Sequence, residues 1–573
     1  MKLLILLLLC LFKVVLCGPK ALPRSPQQAS SGATATAILP HATVLGKTAD
    51  GVESFGGIPY AEAATGQLRL KPPKRLQREL GTFDATGPAA ACPQFAGSPD
   101  SLSFLEKVLG SIANLPFTQH VSGETEDCLS ITVARPAGTT SNDKLPVLFW
   151  IYGGAFELGW SSMYDGTGLV NHGVDLQKPF IFVAVNYRVA GFGFLAGKEI
   201  LADGSANLGL LDQRMGLEWV ADNIGAFGGD PDRVVIWGES AGAISVMDQM
   251  LLFDGDSSYN GKPLFRGAIM NSGSTLPAEA MDSGRAQAVY DQVVNKAGCT
   301  DSVDTLQCLR DLEYADFLAA VSTPPGLLSY GGLALSYLPR PDGTALRESP
   351  EIMLQKGHYR PIPIILGDQQ DEGTLFALFQ SNVTSKSDLV EYLKTIVFLL
   401  ATEEQLTDIV DTYGDGLSSV VDGSPFGTGL LNEVFPGFKR RAALLGDVLF
   451  TLSRRGTLEV MEEAHSDIPL WTYLSTYDSG TPVLGTFHGS DILQVFFGIK
   501  DNYAAQSIRT YFINFLYNLN PNEGLNDQYP EWPMWNAGKT MMDFKADRTE
   551  TMVDDFRNAS YEAILRNVEV LKL

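Results

Sequence analysis

Residues 233–252 read Arg-Val-Val-Ile-Trp-Gly-Glu-Ser-Ala-Gly-Ala-Ile-Ser-Val-Met-Asp-Gln-Met-Leu-Leu, and they say more about the fold than any other stretch of the chain. The first five residues predict a short buried strand, and the residues after Gly242 predict a helix. Gly238 and Gly242 allow a sharp reversal that exposes Ser240 at the corner, as expected for a nucleophile. A Gly-x-Ser-x-Gly match alone is weak evidence in a chain with 57 glycines, but the flanking strand and helix raise its weight.

A serine hydroxyl needs a base to take its proton, and a histidine base needs an acid that orients it. Where the nucleophile lies on such a corner, the order along the chain is serine, acid, histidine. Of the six histidines, His358, His465 and His488 follow Ser240. His358 leaves little room for an acid, and His465 ends a predicted helix. His488 lies in a loop beyond a predicted strand and is the candidate base.

The acid is expected after the predicted strand 361–366, in the turn Gly-Asp-Gln-Gln-Asp-Glu-Gly at 367–373. Three carboxylates compete there: Asp368, Asp371 and Glu372. Residue chemistry alone does not choose among them, since acidic turn residues are commonly solvated charges.

A tetrahedral oxyanion needs backbone N–H donors, which come from a glycine-rich turn after a core strand and from the residue following the nucleophile. The apolar run 145–152, followed by Gly153-Gly154-Ala155-Phe156, supplies such a turn. A Gly-Gly pair after an apolar run is also common as an ordinary strand-ending turn.

Together these segments resemble the type-B carboxylesterase/lipase family of the α/β-hydrolase fold, and within it the secreted triacylglycerol lipases of yeasts and moulds. Ser130 departs from the family pattern, which has an aromatic residue or threonine there. The matching segments are Gly57–Ala61, Glu126–Leu129, Val185–Arg188, Asn207–Gln213, Phe227–Gly242, Gly367–Thr374 and Gly485–His488.

The resemblance implies a large, mostly parallel sheet with helices on both faces, and it assigns roles to individual residues. The implied catalytic residues are Ser240, Glu372 and His488. The implied oxyanion donors are Gly154, Ala155 and Ala241. Glu239 matches a buried family glutamate that organises hydrogen bonds and does not transfer protons.

Residues 1–17 are a predicted secretory signal peptide and 18–37 a Pro/Ser/Ala/Gly-rich flexible leader. Residues 38–573 are expected to be one domain, because the oxyanion donors, nucleophile, acid and base must converge on one substrate atom. Short apolar runs that alternate with helical stretches such as 212–227 also favour a covered parallel sheet. The predicted strands lie near 146–152, 179–187, 233–237, 266–271, 361–366 and 469–475.

Beyond the signal peptide the chain has four cysteines, an even number that suits an oxidising compartment. Residues alone permit three pairings, and the family resemblance implies Cys92 with Cys128 and Cys299 with Cys308. For an exported chain, Asn382-Val-Thr and Asn558-Ala-Ser are predicted N-glycosylation sites. We therefore expect a secreted, extracellular protein.

The formal net charge of −24 excludes a typical nucleic-acid or anionic-membrane binder. No Cys/His cluster has metal-ligand spacing, and no glycine-rich phosphate loop opens a helix, so we expect neither metal nor cofactor. After the leader no apolar run is long enough for a transmembrane segment.

The loop near 92–128 should distinguish a lipase from a generic esterase. A helix predicted within this loop has one apolar face. That face could pack against the core, or it could form a lid that meets a lipid–water interface. Family lipases carry their flap in this loop, which favours the lid. The loop has no tryptophan, which disfavours choline esters. The lid residues are Leu102, Phe104, Leu105, Val108, Leu109 and Ile112.

The predicted function is therefore a triacylglycerol lipase that cleaves long-chain acylglycerols. The alternatives are a broad-specificity carboxylesterase or sterol esterase and, more remotely, a non-catalytic adhesion protein of the same fold.

Overall fold

A computed structural model describes residues 34–95, 123–327, 329–525 and 527–573. Within these residues thirteen strands form one sheet, and two short strands form a separate hairpin. The strands are β1 (Thr34–Leu39), β2 (Ala42–Ala49), β3 (Val52–Pro59), β4 (Gly81–Asp84), β5 (Ser130–Pro136), β6 (Leu145–Ile151), β7 (Ile181–Val185), β8 (Gly229–Glu239), β9 (Ser258–Tyr259), β10 (Lys262–Pro263), β11 (Gly267–Asn271), β12 (Ile364–Gln369), β13 (Leu470–Ser475), β14 (Thr540–Phe544) and β15 (Thr549–Val553).

Helices follow most of the central strands. The α-helices are α1 (Thr167–Asp175), α2 (Ala190–Phe194), α3 (Lys198–Asp203), α4 (Leu208–Asn223), α5 (Ala241–Leu251), α6 (Gly284–Lys296), α7 (Thr305–Asp311), α8 (Tyr314–Val321), α9 (Pro350–Gln355), α10 (Lys386–Tyr392), α11 (Glu403–Asp411), α12 (Leu417–Val421), α13 (Phe438–Gly446), α14 (Leu452–Ala464), α15 (Tyr503–Asn518) and α16 (Asn558–Asn567). Three π-helical segments lie at Leu393–Val397, Asp447–Thr451 and Ile492–Phe496. None of the described helices is both long and apolar enough to span a bilayer.

The strand order is β1-β2-β3-β5-β7-β6-β8-β11-β12-β13-β14-β15, with β4 beside β2. The seven strands from β7 to β14 in that order run parallel, and the pairs outside them are antiparallel except for β2 with β4. Every residue of β7, β11, β12 and β13 is buried, as expected for a parallel sheet covered on both faces. The predicted fold class is confirmed.

Several observed bounds differ from the expected ones by up to four residues, and two of these differences have an evident cause. β1 begins at Thr34, so the leader assigned to 18–37 ends at least four residues earlier; Ala35 and Ala37 alternate inward against β2. The strand expected at 361–366 begins instead at Ile364. Proline has no N–H for the strand ladder, and prolines occupy positions 361 and 363.

The sheet brings the candidate site residues to one edge. Ser240 follows the carboxyl end of β8, and Glu372 follows that of β12, with β11 alone between the two strands. The loop after β13 returns to the same edge, where the N–H of Asp371 donates to the Thr486 carbonyl at 2.9 Å. This contact brings the segment that carries His488 beside the β12 turn.

Disulfides join Cys92 to Cys128 and Cys299 to Cys308, the two pairs that the family resemblance implies. The predicted signal peptide (1–17), the leader up to residue 33 and the whole apolar lid face lie outside the described residues.

Candidate active site

Ser240 lies on a strained corner between β8 and α5. Its φ of 57° and ψ of −127° are rarely adopted by a residue with a side chain, and such strain is common at functional sites. The two flanking glycines are required by close contacts. A Cβ on Gly238 would lie 2.3 Å from the Gly242 carbonyl carbon, and one on Gly242 would lie 2.1 Å from the Ile151 oxygen.

Three side chains form a continuous hydrogen-bonded chain at this corner. Nε2 of His488 lies 2.8 Å from Oγ of Ser240, and Nδ1 of His488 lies 2.5 Å from Oε2 of Glu372. The other oxygen of Glu372 accepts the N–H of Gln369 at 2.7 Å, which fixes the carboxylate. All three side chains are buried, so the geometry suits a nucleophile, a base and an orienting acid.

The three carboxylates of the β12 turn have separate environments. Asp371 accepts hydrogen bonds from Ser424 Oγ and from the N–H groups of Phe426 and Thr486. Asp368 binds Arg454, with its Oδ2 3.0 Å from Nε. Of these three, Glu372 alone contacts the His488 ring.

The electrostatics of His488 suit a base that becomes charged during reaction. Burial disfavours the imidazolium, but the neighbouring acids, Glu372 above all, together outweigh burial and raise the pKa of His488 above its ordinary value. The rings of Phe376 and Phe450 lie 5.1 and 4.6 Å from the imidazole, centroid to centroid, and pack against this side chain.

Two further acids lie behind the triad. Burial raises the pKa of Glu239 to about 8, and its Oε1 lies 3.6 Å from Nε2 of His488. Asp491 accepts a hydrogen bond from Nδ2 of Asn271 at 2.7 Å, and burial raises its pKa to about 6. Sequence reasoning gave Asp491 no role, although it follows His488 by three residues in the same loop.

The turn after β6 approaches the serine closely. A Cβ on Gly153 would lie 2.9 Å from the Ser240 Cβ. Gly154 and Ala155 have φ values of 113° and 57°. Within the described residues, the N–H groups of Gly154, Ala155 and Ala241 donate to no protein acceptor. They are therefore free to bind an oxyanion.

The serine opens on an apolar pocket that is partly open to solvent. Apart from Ser240 and His488, the residues that line it are apolar. Such a lining suits a hydrocarbon chain attached to the reacting carbonyl. The pocket wall includes Leu327, Leu333, Leu335 and Phe376.

The start of the predicted lid loop is held beside the Gly153–Phe156 turn that follows β6. The Phe95 N–H donates to the Glu157 carbonyl at 2.9 Å, and the Gln94 side chain donates to the Gly159 carbonyl. At the other end of the loop, the Thr125 N–H donates to the Ala91 carbonyl. The loop therefore begins next to the site.

The remaining sequence candidates lie elsewhere. His358 is partly exposed near Asp254, and His465 ends α14 and packs on Tyr359. Asn382 and Asn558 are both exposed, and their glycosylation stays a prediction. The described part of the chain contains no cluster of three potential metal ligands.

Comparison with known proteins agrees with this geometry. The sequence profile of the Carboxylesterase family matches residues 34–564. Secreted triacylglycerol lipase LIP1 of Gibberella zeae is 57% identical over 96% of this chain and 93% of that protein. Secreted lipase 1 of Botryotinia fuckeliana is 52% identical over 95% and 94%.

Among solved structures, EstA of Aspergillus niger is similar with a TM-score of 0.78 and 26% identity, covering 94% of this chain and 99% of that one. A match over nearly the whole length leaves no large region of the chain outside the shared architecture. The chain has the α/β-hydrolase fold and belongs to the carboxylesterase family, a family of carboxylic ester hydrolases.

Proposed function

We propose that this protein is a secreted triacylglycerol lipase that hydrolyses long-chain acylglycerols through an acyl-enzyme on Ser240. The observation that carries the proposal is the chain of contacts from Ser240 through His488 to Glu372, opening on an apolar pocket. The relatives named as secreted lipases support both the substrate class and the extracellular location.

The geometry supports a two-step mechanism. Oγ of Ser240 attacks the ester carbonyl while Nε2 of His488 takes its proton, and Glu372 stabilises the resulting imidazolium. The N–H groups of Gly154, Ala155 and Ala241 bind the oxyanion. His488 then protonates the leaving alcohol. In the second step it activates a water that attacks the acyl carbonyl, and the fatty acid leaves as the Ser240 hydroxyl is restored.

The lid proposal is supported by the position of the loop's start. Gln94 and Phe95, at the start of the 92–128 loop, are hydrogen-bonded to residues 159 and 157, just after the Gly153–Phe156 turn, and this supports a role of the loop at the pocket. We assign the apolar face around Leu105 and Leu109 the role of covering the site in water and meeting the lipid–water interface when open.

The test combines active-site labelling with a substrate series. An organophosphonate should modify Ser240, located by mass spectrometry of the digested chain, and Ser240→Ala should lower turnover roughly a million-fold. Activity on triolein should exceed that on p-nitrophenyl acetate once triolein passes its solubility limit. Equal or greater activity on soluble short esters would favour a broad carboxylesterase, and preference for cholesteryl oleate a sterol esterase. Labelling of another serine would contradict the mechanism.

A further inference from the structure

Large apolar side chains that are exposed occur side by side at two places among the described residues. Leu399 and Leu400 are 45% and 51% exposed, and Leu430 and Leu431 are 62% and 71% exposed. A single exposed leucine is unremarkable in a soluble protein. Two adjacent ones place a larger apolar surface in water, and contiguous exposed apolar surface is typical of interaction sites.

Both pairs lie on tight turns. The Ala401 N–H donates to the Phe398 carbonyl at 3.1 Å, so Leu399 and Leu400 are the two central residues of that turn. The Leu431 N–H donates to the Thr428 carbonyl at 3.1 Å. Glycine, proline, asparagine, aspartate and serine favour turns for conformational reasons. Leucine has no such conformational preference for turns, and all four side chains remain substantially exposed to water.

The first turn is fixed to the pocket wall. Phe398 and Ala401, which flank the leucines, are buried. Nη1 of Arg285 donates to the Val397 carbonyl at 2.8 Å, and Nη2 donates to the Ala334 carbonyl at 2.9 Å. Ala334 stands between two pocket-lining leucines at 333 and 335. Arg285 thus joins the turn at 398–401 to the wall of the acyl pocket.

The second turn is fixed to the histidine loop. Nζ of Lys439 donates to Oγ1 of Thr428 and to the Gly429 carbonyl, both at 2.8 Å. Oδ1 of Asn432 accepts the Val483 N–H at 3.0 Å. Val483 precedes His488 by five residues, so the leucines at 430 and 431 lie on a turn that is held against the loop bearing the candidate base.

We propose that these two leucine pairs form a fixed docking surface for neutral lipid, separate from the lid. One pair lies on a turn anchored beside the pocket-lining leucines at 333 and 335, and the other on a turn anchored to the loop that bears His488, so lipid bound to the pairs would be held near these segments. The charge of the chain decides the chemistry of the partner. A net charge of −24 opposes both an anionic membrane and a second copy of the chain, whereas an uncharged acylglycerol surface carries no such penalty.

This proposal rests on the proposed lipase function, and binding is measured apart from catalysis for that reason. In the Ser240→Ala background, Leu399→Ser/Leu400→Ser and Leu430→Ser/Leu431→Ser should each weaken partitioning onto triolein droplets, and the quadruple variant should weaken it about tenfold or more. The matched control is Ile38→Ser/Val303→Ser, which removes two exposed apolar side chains elsewhere and should leave partitioning unchanged.

A second readout reports contact directly. An environment-sensitive dye on Leu431→Cys should shift to shorter emission wavelength when triolein droplets are added, whereas the same dye on Ile38→Cys should not. Vesicles of phosphatidylglycerol should produce a smaller shift because of charge repulsion.

The failures are distinguishable. If the Ser240→Ala chain does not bind triolein at all, the lipase function fails. If it binds and the quadruple variant binds equally well, with an unchanged circular dichroism spectrum, the docking surface alone is refuted. If the substitutions convert a dimer to a monomer in sedimentation, the leucines contact a second copy and the proposal is overturned.

Discussion

Oε1 of Glu239 lies 3.6 Å from Nε2 of His488, the nitrogen that also contacts Oγ of Ser240. Within the described residues Oε1 has no hydrogen-bond partner. Burial raises the pKa of Glu239 to about 8, so this carboxyl is mostly protonated at neutral pH. The neutral form avoids placing a second carboxylate beside His488, the proposed base.

Glu239→Gln should therefore retain kcat/KM within a few-fold at pH 7, since glutamine resembles the protonated acid in shape. At alkaline pH the wild-type Glu239 ionises and favours the imidazolium. The variant lacks that charge, so the pKa of its His488 should be lower. The acidic limb of its kcat/KM profile should therefore move to lower pH. The measurement is a pH profile of kcat/KM on p-nitrophenyl butyrate from pH 5 to 10. A loss of about a thousand-fold or more at pH 7 would instead assign Glu239 a proton-transfer role.

Glu372→Gln and Asp371→Asn should have different effects. Removing the Glu372 carboxylate takes away the main group that raises the pKa of His488, so the acidic limb of the pH profile of the residual activity should shift to lower pH. By analogy with other triads, kcat should fall about 10⁴-fold.

Asp371→Asn should act mainly on stability. Its two carboxylate oxygens accept three hydrogen bonds, and an asparagine NH₂ cannot replace all of these acceptor sites. Thermal unfolding should begin at lower temperature while the pH profile keeps its wild-type position. If Asp371→Asn shifted the acidic limb and Glu372→Gln did not, Asp371 would be the triad acid.

The sequence predicts the central strands of the fold well, but it does not distinguish between adjacent carboxyl groups in one turn. Apolar runs and glycine spacing predict β6, β8, β12 and the serine corner, because burial on both faces demands such patterns. The same evidence cannot separate Asp371 from Glu372. The two are adjacent in one turn, and what distinguishes them is a contact with a segment more than 100 residues away.

Long-range packing also explains what the sequence missed. The first four residues of β1 look like the end of a leader, since the exposed threonines are polar and the inward alanines make a weak apolar signal. Buried acids give no periodic signal at all. Asp248 lies on a helix among apolar residues, and its burial depends on elements that pack against α5 from elsewhere in the chain.

Asp248 provides a test of pH-dependent stability. Its carboxyl is buried, both oxygens lack a hydrogen-bond partner among the described residues, and burial raises its pKa to about 8. Because the folded-state pKa exceeds the unfolded value near 4, the folded chain binds more protons between these pH values, and stability falls as pH rises through this window. The limiting slope is about 1.4 kcal/mol per pH unit.

Asp248→Asn should remove this dependence. Its melting temperature relative to wild type should rise progressively from pH 4 to pH 8 in calorimetry, and the exposed Asp301→Asn should serve as the control with no such trend. A constant difference at every pH would mean that Asp248 does not titrate in the folded chain over this range.

The lid prediction separates a lipase from an esterase. Leu105→Ser/Leu109→Ser should remove apolar surface worth about 1.5 to 3 kcal/mol per side chain whether the lid is closed or bound to lipid. Activity on emulsified triolein should fall steeply, while activity on p-nitrophenyl acetate, which needs neither state, should hold or rise. Lys107→Ser, on the opposite face of the predicted helix, should change neither rate.

Glu157 links the start of this loop to the pocket. Glu157 directly follows the Gly153–Phe156 turn. Its backbone carbonyl accepts the N–H of Phe95 at the start of the loop, and its side-chain carboxyl accepts the N–H of the pocket residue Leu327 at 2.8 Å. If the proposed lid extends from this junction, substitutions on its apolar face should affect access to the pocket and not the chemistry at Ser240. Equal losses on triolein and p-nitrophenyl acetate, with lowered thermal stability, would mean that Leu105 and Leu109 pack in the core, and the function would revert to a broad carboxylesterase.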